Sequence, residues 1–238
     1  MAPRTTTSGA TAVKATGERK RTGPNDSQNL AGALALLSDY RRDKLLEAVA
    51  IAAKELLRTS DLAVSLPKVV ELCGQATGVD RGHIFLIDAA TGEGNILHHS
   101  AWIAPGIATP PEFRNDREPL LNVGLKAWLA KLERGETIVG HVRDFDREQR
   151  AFFERGGVKS VLVVPVFGDG RWLGLIGFDD CQSERDWSAA EIDAINTVAE
   201  LVGAGIARTV QLKTLADANR IVENSPTILY RLSPQPPL

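Results

Sequence analysis

The chain has 238 residues, 43% hydrophobic and 24% charged, the balance of an ordinary globular protein with room for one large domain or two small ones. Its formal net charge of −2 offers no general attraction to nucleic acid or to an anionic membrane. The two cysteines, Cys73 and Cys181, lie far apart and outside any CxxC or Cys/His ligand pattern, which argues against a disulfide framework; with no apolar run of about 20 residues and no apolar N-terminal core, the expected location is the cytoplasm.

Residues 1–35 are rich in Thr, Ser, Gly, Ala and Lys/Arg and are expected to form a disordered tail, because almost nothing in them can offset the entropy of ordering. The cluster "ERKR" at 18–21 is short and carries no interleaved aromatic residues, so it reads as solvated tail rather than nucleic-acid contact. Order is expected from near Ser38. Leu45, Val49, Ala52 and Leu56 recur at helical spacing. A second helix follows in "SLPKVVELCGQATGVD", with Leu66, Val69, Val70, Cys73 and Thr77 on one face, Ser65 as N-cap and Gly78 as C-terminal stop. "RGHIFLID" and "ILHHSAWIA" are β-type runs on either side of the turn-forming "AATGEGN" and predict an antiparallel hairpin.

Residues 104–122 form a proline-bearing loop with little periodicity. "GLKAWLAKLERGE" predicts a short helix with Leu125, Trp128, Leu129 and Leu132 on one side, and "TIVGHV" a brief strand. In "DREQRAFFERGG", Asp146 and Gln149 take capping-box positions and the double glycine ends the helix. "KSVLVVPVFGDGRWLGLIGFDD" carries the strongest local signal, two apolar strands around a Gly-Asp-Gly turn. Gly168, Gly170 and Gly174 do not have the spacing of a phosphate-cradling loop, and no helix opens directly after them. Ser188 and Glu191 then form a capping box that starts a long helix. The order predicts an α+β fold, an antiparallel sheet with the N- and C-terminal helices on one face and short helices and loops over the other.

Four stretches, "SLPKVVELCGQATGVDRGHIFLID", "ERGETIVGHVRDF", "EQRAFFERGGVKSVLVVPVFGDGRWLGLIGFDD" and "RDWSAAEIDAINTVAELVGAGIAR", resemble the GAF domain, a regulatory module of signalling proteins that binds small molecules and dimerises. The resemblance covers about residues 42–208 and places a GAF domain at 36–210. The segment "ANRIVENSPTILYRL" resembles the first helix and strand of a PAS domain, so residues 211–238 are expected to be a signalling-helix linker and the start of that next module, although "SPQPPL" departs from the PAS pattern. GAF followed by PAS implies the front part of a larger sensor, a histidine kinase or a cyclic-dinucleotide enzyme.

No G-x-S-x-G, H-E-x-x-H, P-loop, kinase or nucleotide-cyclase motif is present, and the chain is expected to be non-catalytic. Asp179 and Asp180 can bind a cation, act as an acid/base pair, or simply end a strand in a turn, which is the favoured reading. His98 and His99 are adjacent on a strand and point to opposite faces, so they do not share one metal ion; at most one faces a pocket, alongside His83 or His141. The resemblance places a pocket between the sheet and the cover formed by residues 102–145. It implies Trp102, Trp128, His141, Phe145 and His99 as candidate ligand-binding residues, with packing over the sheet as the alternative for the tryptophans. The cofactor or ligand is unknown. A bilin needs a cysteine in the pocket region, where none lies, and neither a cyclic-nucleotide nor a haem pattern is present. A methionine-sulfoxide reductase of this fold likewise needs pocket cysteines.

In the last helix, Ile195, Val202, Thr209 and Ala216 interleave with Val198, Gly205, Leu212 and Asn219 in a heptad-like seam. It supports a homodimer through the first and last helices, or else the burial of an amphipathic face within the domain. Three functional readings stay open: a ligand-responsive relay to a downstream PAS or output module, a dimerisation domain without ligand and, least expected, a methionine-sulfoxide-reductase-like enzyme.

Overall fold

The computed structural model describes residues 24–87, 96–109 and 125–223, with side chains from Tyr40 onward. Helix α1 (Pro24–Arg58) and helix α2 (Leu62–Thr77) precede a hairpin of strands β1 (Arg81–Ile87) and β2 (Ile96–Ile103). Helix α3 (Lys126–Glu133), strand β3 (Ile138–His141), a 3-10 turn (Val142–Asp144) and helix α4 (Arg147–Arg155) follow. The hairpin β4 (Ser160–Gly168) and β5 (Arg171–Asp180) leads into helix α5 (Ala189–Glu223). The described strands form one five-stranded sheet in the order β2-β1-β5-β4-β3, antiparallel at every pairing.

The expected α+β architecture is what the chain adopts. Side chains alternate across the pleat, so β1, β2, β4 and β5 each feed two cores. Ile84, Leu162, Val164, Val166, Ile176 and Phe178 face α1, α2 and α5, where Leu45, Leu66, Val70, Ile195, Val198 and Val202 meet them. Phe85, Val161, Val163 and Leu175 face the opposite way, toward Trp128, Leu129 and Leu132 of α3 and Phe153 of α4. Each large apolar side chain fully buried in this way, such as Phe178 at 0% exposure, stabilises the fold by about 1.5–3 kcal/mol.

Local signals account for most element ends. The Asp169–Gly170 turn takes φ of 50° and 72°, left-handed at both residues, and joins β4 to β5 as a two-residue hairpin loop. Gly78 ends α2 at φ 68°. The carboxylate of Asp146 accepts from the N–H of Glu148 and Gln149 at 3.0 Å each. The Ser188–Glu191 box forms both ways: the Ser188 N–H donates to Glu191 Oε2 at 2.9 Å, and the Glu191 N–H to Ser188 Oγ at 3.3 Å.

Two expectations need correction, and one open alternative is decided in part. Helix α1 starts at Pro24, ahead of the start near Ser38, so residues 24–35 are helical rather than part of a disordered tail; residues 1–23 lie outside the described residues. The N-cap of α2 is Asp61, whose Oδ1 accepts from the Ala63 N–H at 3.0 Å, while Ser65 lies inside the helix and donates to the Asp61 carbonyl at 3.2 Å. Finally, Ile195, Val198, Val202 and Thr209 of the heptad-like seam are buried within the molecule's own core, and Gly205 packs against Leu56, so the amphipathic-face alternative holds up to Thr209. From Val210 onward the described part of α5 is exposed. The "AATGEGN" turn, most of the 104–122 loop and the PAS-like end fall largely outside the described residues.

By contact density the chain divides into residues 1–39 and 40–238; the sheet and both cores belong to the second unit.

Candidate functional site

A cavity of about 50 Å³ lies on the sheet face that α3 and α4 cover. Its floor comes from alternate residues of three strands: His83 and Phe85 of β1, Leu175, Gly177 and Asp179 of β5, and Val163 of β4. Its walls are Leu125, Trp128, Leu129 and Leu132 at α3 and Phe152 and Phe153 of α4. The register explains the grouping, because His83 stands opposite Gly177, and Gly177 opposite Val163. A Cβ on Gly177 would meet only Val163 Cγ2, at 3.9 Å, so the missing side chain leaves open space at the floor.

The polar feature of this apolar site is a buried pair. His83 Nε2 lies 3.4 Å from Asp179 Oδ2, with side chains 3% and 8% exposed. The ring of His98 packs 5.8 Å from that of His83 and 5.0 Å from that of Phe85, so His98 shares this face.

The sequence-predicted residues separate. Trp128 is in the wall, and Phe145 stands behind it, edge-on at 5.0 Å. His141 lies outside the cavity, its Nε2 3.0 Å from Asp186 Oδ1 and its Nδ1 3.7 Å from Asp144 Oδ2. His99 is exposed, with Nδ1 2.8 Å from Ser100 Oγ. Trp102 lies on the opposite face of the sheet, against α2, where a Cβ on Gly74 would come within 2.2 Å of its ring. The cause is a β-bulge: Ile84 pairs with Ser100 but Phe85 with His98, so His99 is the extra residue and the facing of β2 flips there. His98 therefore faces the cavity, while Ser100 and Trp102 face the helices. The sequence reading missed Asp179 and Phe85 as lining residues and named His83 only as a possible companion to another histidine. Strand alternation along Arg81-Gly82-His83-Ile84-Phe85 carried the signal.

Below the cavity, at the end of β5, lies a buried ionic cluster. Asp80 Oδ2 accepts from the N–H of Cys181 at 2.6 Å and of Gln182 at 2.9 Å. Burial pushes the Asp80 carboxyl up, but hydrogen bonds from Gln182 and Cys181, with the nearby Arg81 charge, outweigh it and hold the group below its usual value. Arg81 is 3% exposed and donates to the Gly156 carbonyl at 2.8 Å. Arg185 stacks on Trp187 at 4.3 Å and donates to the Thr77 carbonyl at 2.8 Å and to Glu191 at 2.6 Å. Burial raises Glu191 less than its bonds from Ser188 and Arg185 lower it. Asp180 ends on the other side of this balance. Burial pushes it up to about 6, Arg185 at 3.8 Å offsets part of that, and the charges of Asp80, Asp179 and Glu191 add to it. Asp179 and Asp180 thus do not act as one pair: the first faces the cavity, the second the cluster that ties β5 to the start of α5. Burial pushes both cysteine thiols up to about 12, and Cys73 lies in the helix-side core.

The GAF domain family matches residues 61–206, which span every described strand, the cavity walls and α5 as far as Ile206. The chain belongs to the GAF domain family. Among relatives, the methanogenesis regulatory histidine kinase FilI of Methanothrix harundinacea is 32% identical over 185 residues, 76% of this chain and 20% of that protein. The circadian input-output histidine kinase CikA of Synechococcus elongatus is 30% identical over 115 residues, 45% of this chain and 15% of that protein. This GAF-containing chain thus spans about a fifth of these kinases or less. In fold it is similar to the phycocyanobilin-bound GAF domain of a cyanobacterial phytochrome, with a TM-score of 0.60 at 14% identity, covering 71% of this chain and 96% of that one. The GAF cavity seen here does not fit a linear tetrapyrrole: about 50 Å³ is far below the ~300–1,000 Å³ of drug-sized sites, and no cysteine is among its described lining residues.

Proposed function

We propose that this chain is a non-catalytic sensory module of a larger cytoplasmic signalling protein of the histidine-kinase kind. A small ligand enters the cavity between the sheet and α3–α4, and α5 passes the change on to the module that follows, a PAS domain by sequence resemblance. The reading rests on one observation: β4 and β5 are shared. Val163, Leu175, Gly177 and Asp179 line the cavity, while Val164, Ile176 and Phe178, their direct neighbours in the chain, pack in the core that holds α5. A floor residue that shifts to admit a ligand moves a residue that supports the helix. Packed interfaces respond to such shifts in discrete steps, which suits a switch.

Native mass spectrometry of the freshly purified full chain tests this reading. A small molecule retained by the wild type and lost on Trp128→Ala supports it. A wild type that carries no molecule, and whose mass and stability no metabolite mixture changes, contradicts it. The alternative of a dimerisation domain without ligand draws support from the exposed apolar residues Leu212, Leu215, Ile221 and Val222 on α5, which a partner helix would cover. The same spectra give the subunit count.

A further inference from the structure

If the cavity is the ligand site, as proposed above, its lining also constrains what it takes. Four of the lining side chains are the aromatic rings of Phe85, Trp128, Phe152 and Phe153. Aromatic faces are electronegative and attract cations, most of all where water is excluded. Asp179 is the one carboxylate among the described lining residues, and no lysine or arginine is among them. A ligand with its own negative charge meets that carboxylate with no lysine or arginine among the described lining residues to offset it, and His83 already lies against Asp179. A purely apolar ligand gains nothing from Asp179. Size narrows the class further. A cavity of about 50 Å³, far below the ~300–1,000 Å³ of drug-sized sites, favours a compact molecule of a few heavy atoms.

We infer that the cavity binds a small alkylammonium cation of the size of trimethylammonium, its N–H donating to Asp179 and its methyl groups lying against the aromatic rings. The N–H is what separates this class from quaternary ammonium ions, which offer Asp179 no donor. His83 lies 3.4 Å from the same carboxylate, on the floor beside it.

The test is an NMR titration of the full chain that follows the Trp128 indole N–H, assigned by its loss in Trp128→Phe. Trimethylammonium chloride is compared with tert-butyl alcohol, a neutral molecule of similar shape, with tetramethylammonium chloride and with sodium chloride at matched ionic strength. The expected result is a saturable shift with trimethylammonium, and binding at least tenfold weaker for the other three. In Asp179→Asn the preference over tert-butyl alcohol should disappear; if that variant does not fold, the comparison within the wild type decides alone. Equal binding of tert-butyl alcohol or of tetramethylammonium overturns the inference and leaves the cavity a ligand site of another class. No shift with any probe also overturns it, and the ligand-site reading then stands or falls on the mass spectra alone.

Discussion

Asp180 shares its surroundings with Asp80, Asp179 and Glu191, and divides the cation Arg185 with Glu191. Its folded value of about 6 stands above the ordinary 3.8, so the folded state holds the proton more tightly than the unfolded one. Stability from Asp180 is therefore complete below 3.8 and lost as pH rises to about 6, a difference of about 3 kcal/mol at most. Asp80 and Glu191, held below their usual values, act in the opposite sense: they contribute above the unfolded value and lose that contribution as pH falls. Asp180→Asn should thus gain on the wild type between pH 4 and pH 7 by about 2 kcal/mol, since the value of about 6 is already net of the attraction to Arg185. Urea melts at the two pH values check this, and an unchanged difference would show that Asp180 is not charged against the fold. Gly203 gives a second test. A Cβ there would lie 1.8 Å from the Phe167 carbonyl oxygen, a backbone atom that cannot move aside. Helix propensity favours alanine by about 1 kcal/mol, but the overlap decides, and Gly203→Ala should destabilise by about 2–3 kcal/mol in the same melts.

At the scale of elements, what the sequence revealed depended on how far apart the deciding residues lie. The Asp169–Gly170 turn, the Ser188–Glu191 box and the apolar stripe of α3 are set within a few residues of one another, and each formed as read. The facing of β2 is a property of two strands. A bulge against Ile84 and Phe85 turned Trp102 to the helix side, and nothing within "ILHHSAWIA" marks it. The His83–Asp179 pair was hidden for a related reason: β5 enters the sheet between β1 and β4, a neighbourhood that local pattern does not dictate. These placements predict opposite outcomes for two tryptophans. Trp102→Ala should cost about 2–3 kcal/mol of stability, less than a fully buried tryptophan, and leave ligand binding unchanged. Trp128→Leu should weaken binding of whatever the cavity carries. Thermal melts and binding isotherms on both variants separate the two roles.

The molecule as a whole places a small cavity on one face of the sheet and the long helix on the other, with β4 and β5 between them. Beyond Thr209 that helix exposes Leu212 at 44% and Leu215 at 62%, the surface that a partner helix would cover in the dimerisation alternative. Sedimentation equilibrium should give a dimer for the full chain and a weaker one for Leu212→Ser with Leu215→Ser; a monomer at high concentration contradicts it. The coupling across the sheet can be examined without knowing the ligand. Gly177→Val projects a side chain into the cavity from the floor, where a Cβ has open space, and so stands in for an occupant. Hydrogen exchange measured by mass spectrometry on the wild type and this variant tests the coupling most directly. The account predicts altered protection in α5 between Ile195 and Thr209, on the far side of the sheet. Exchange changed only in α3, α4 and the cavity floor, with α5 identical in the two proteins, would contradict it.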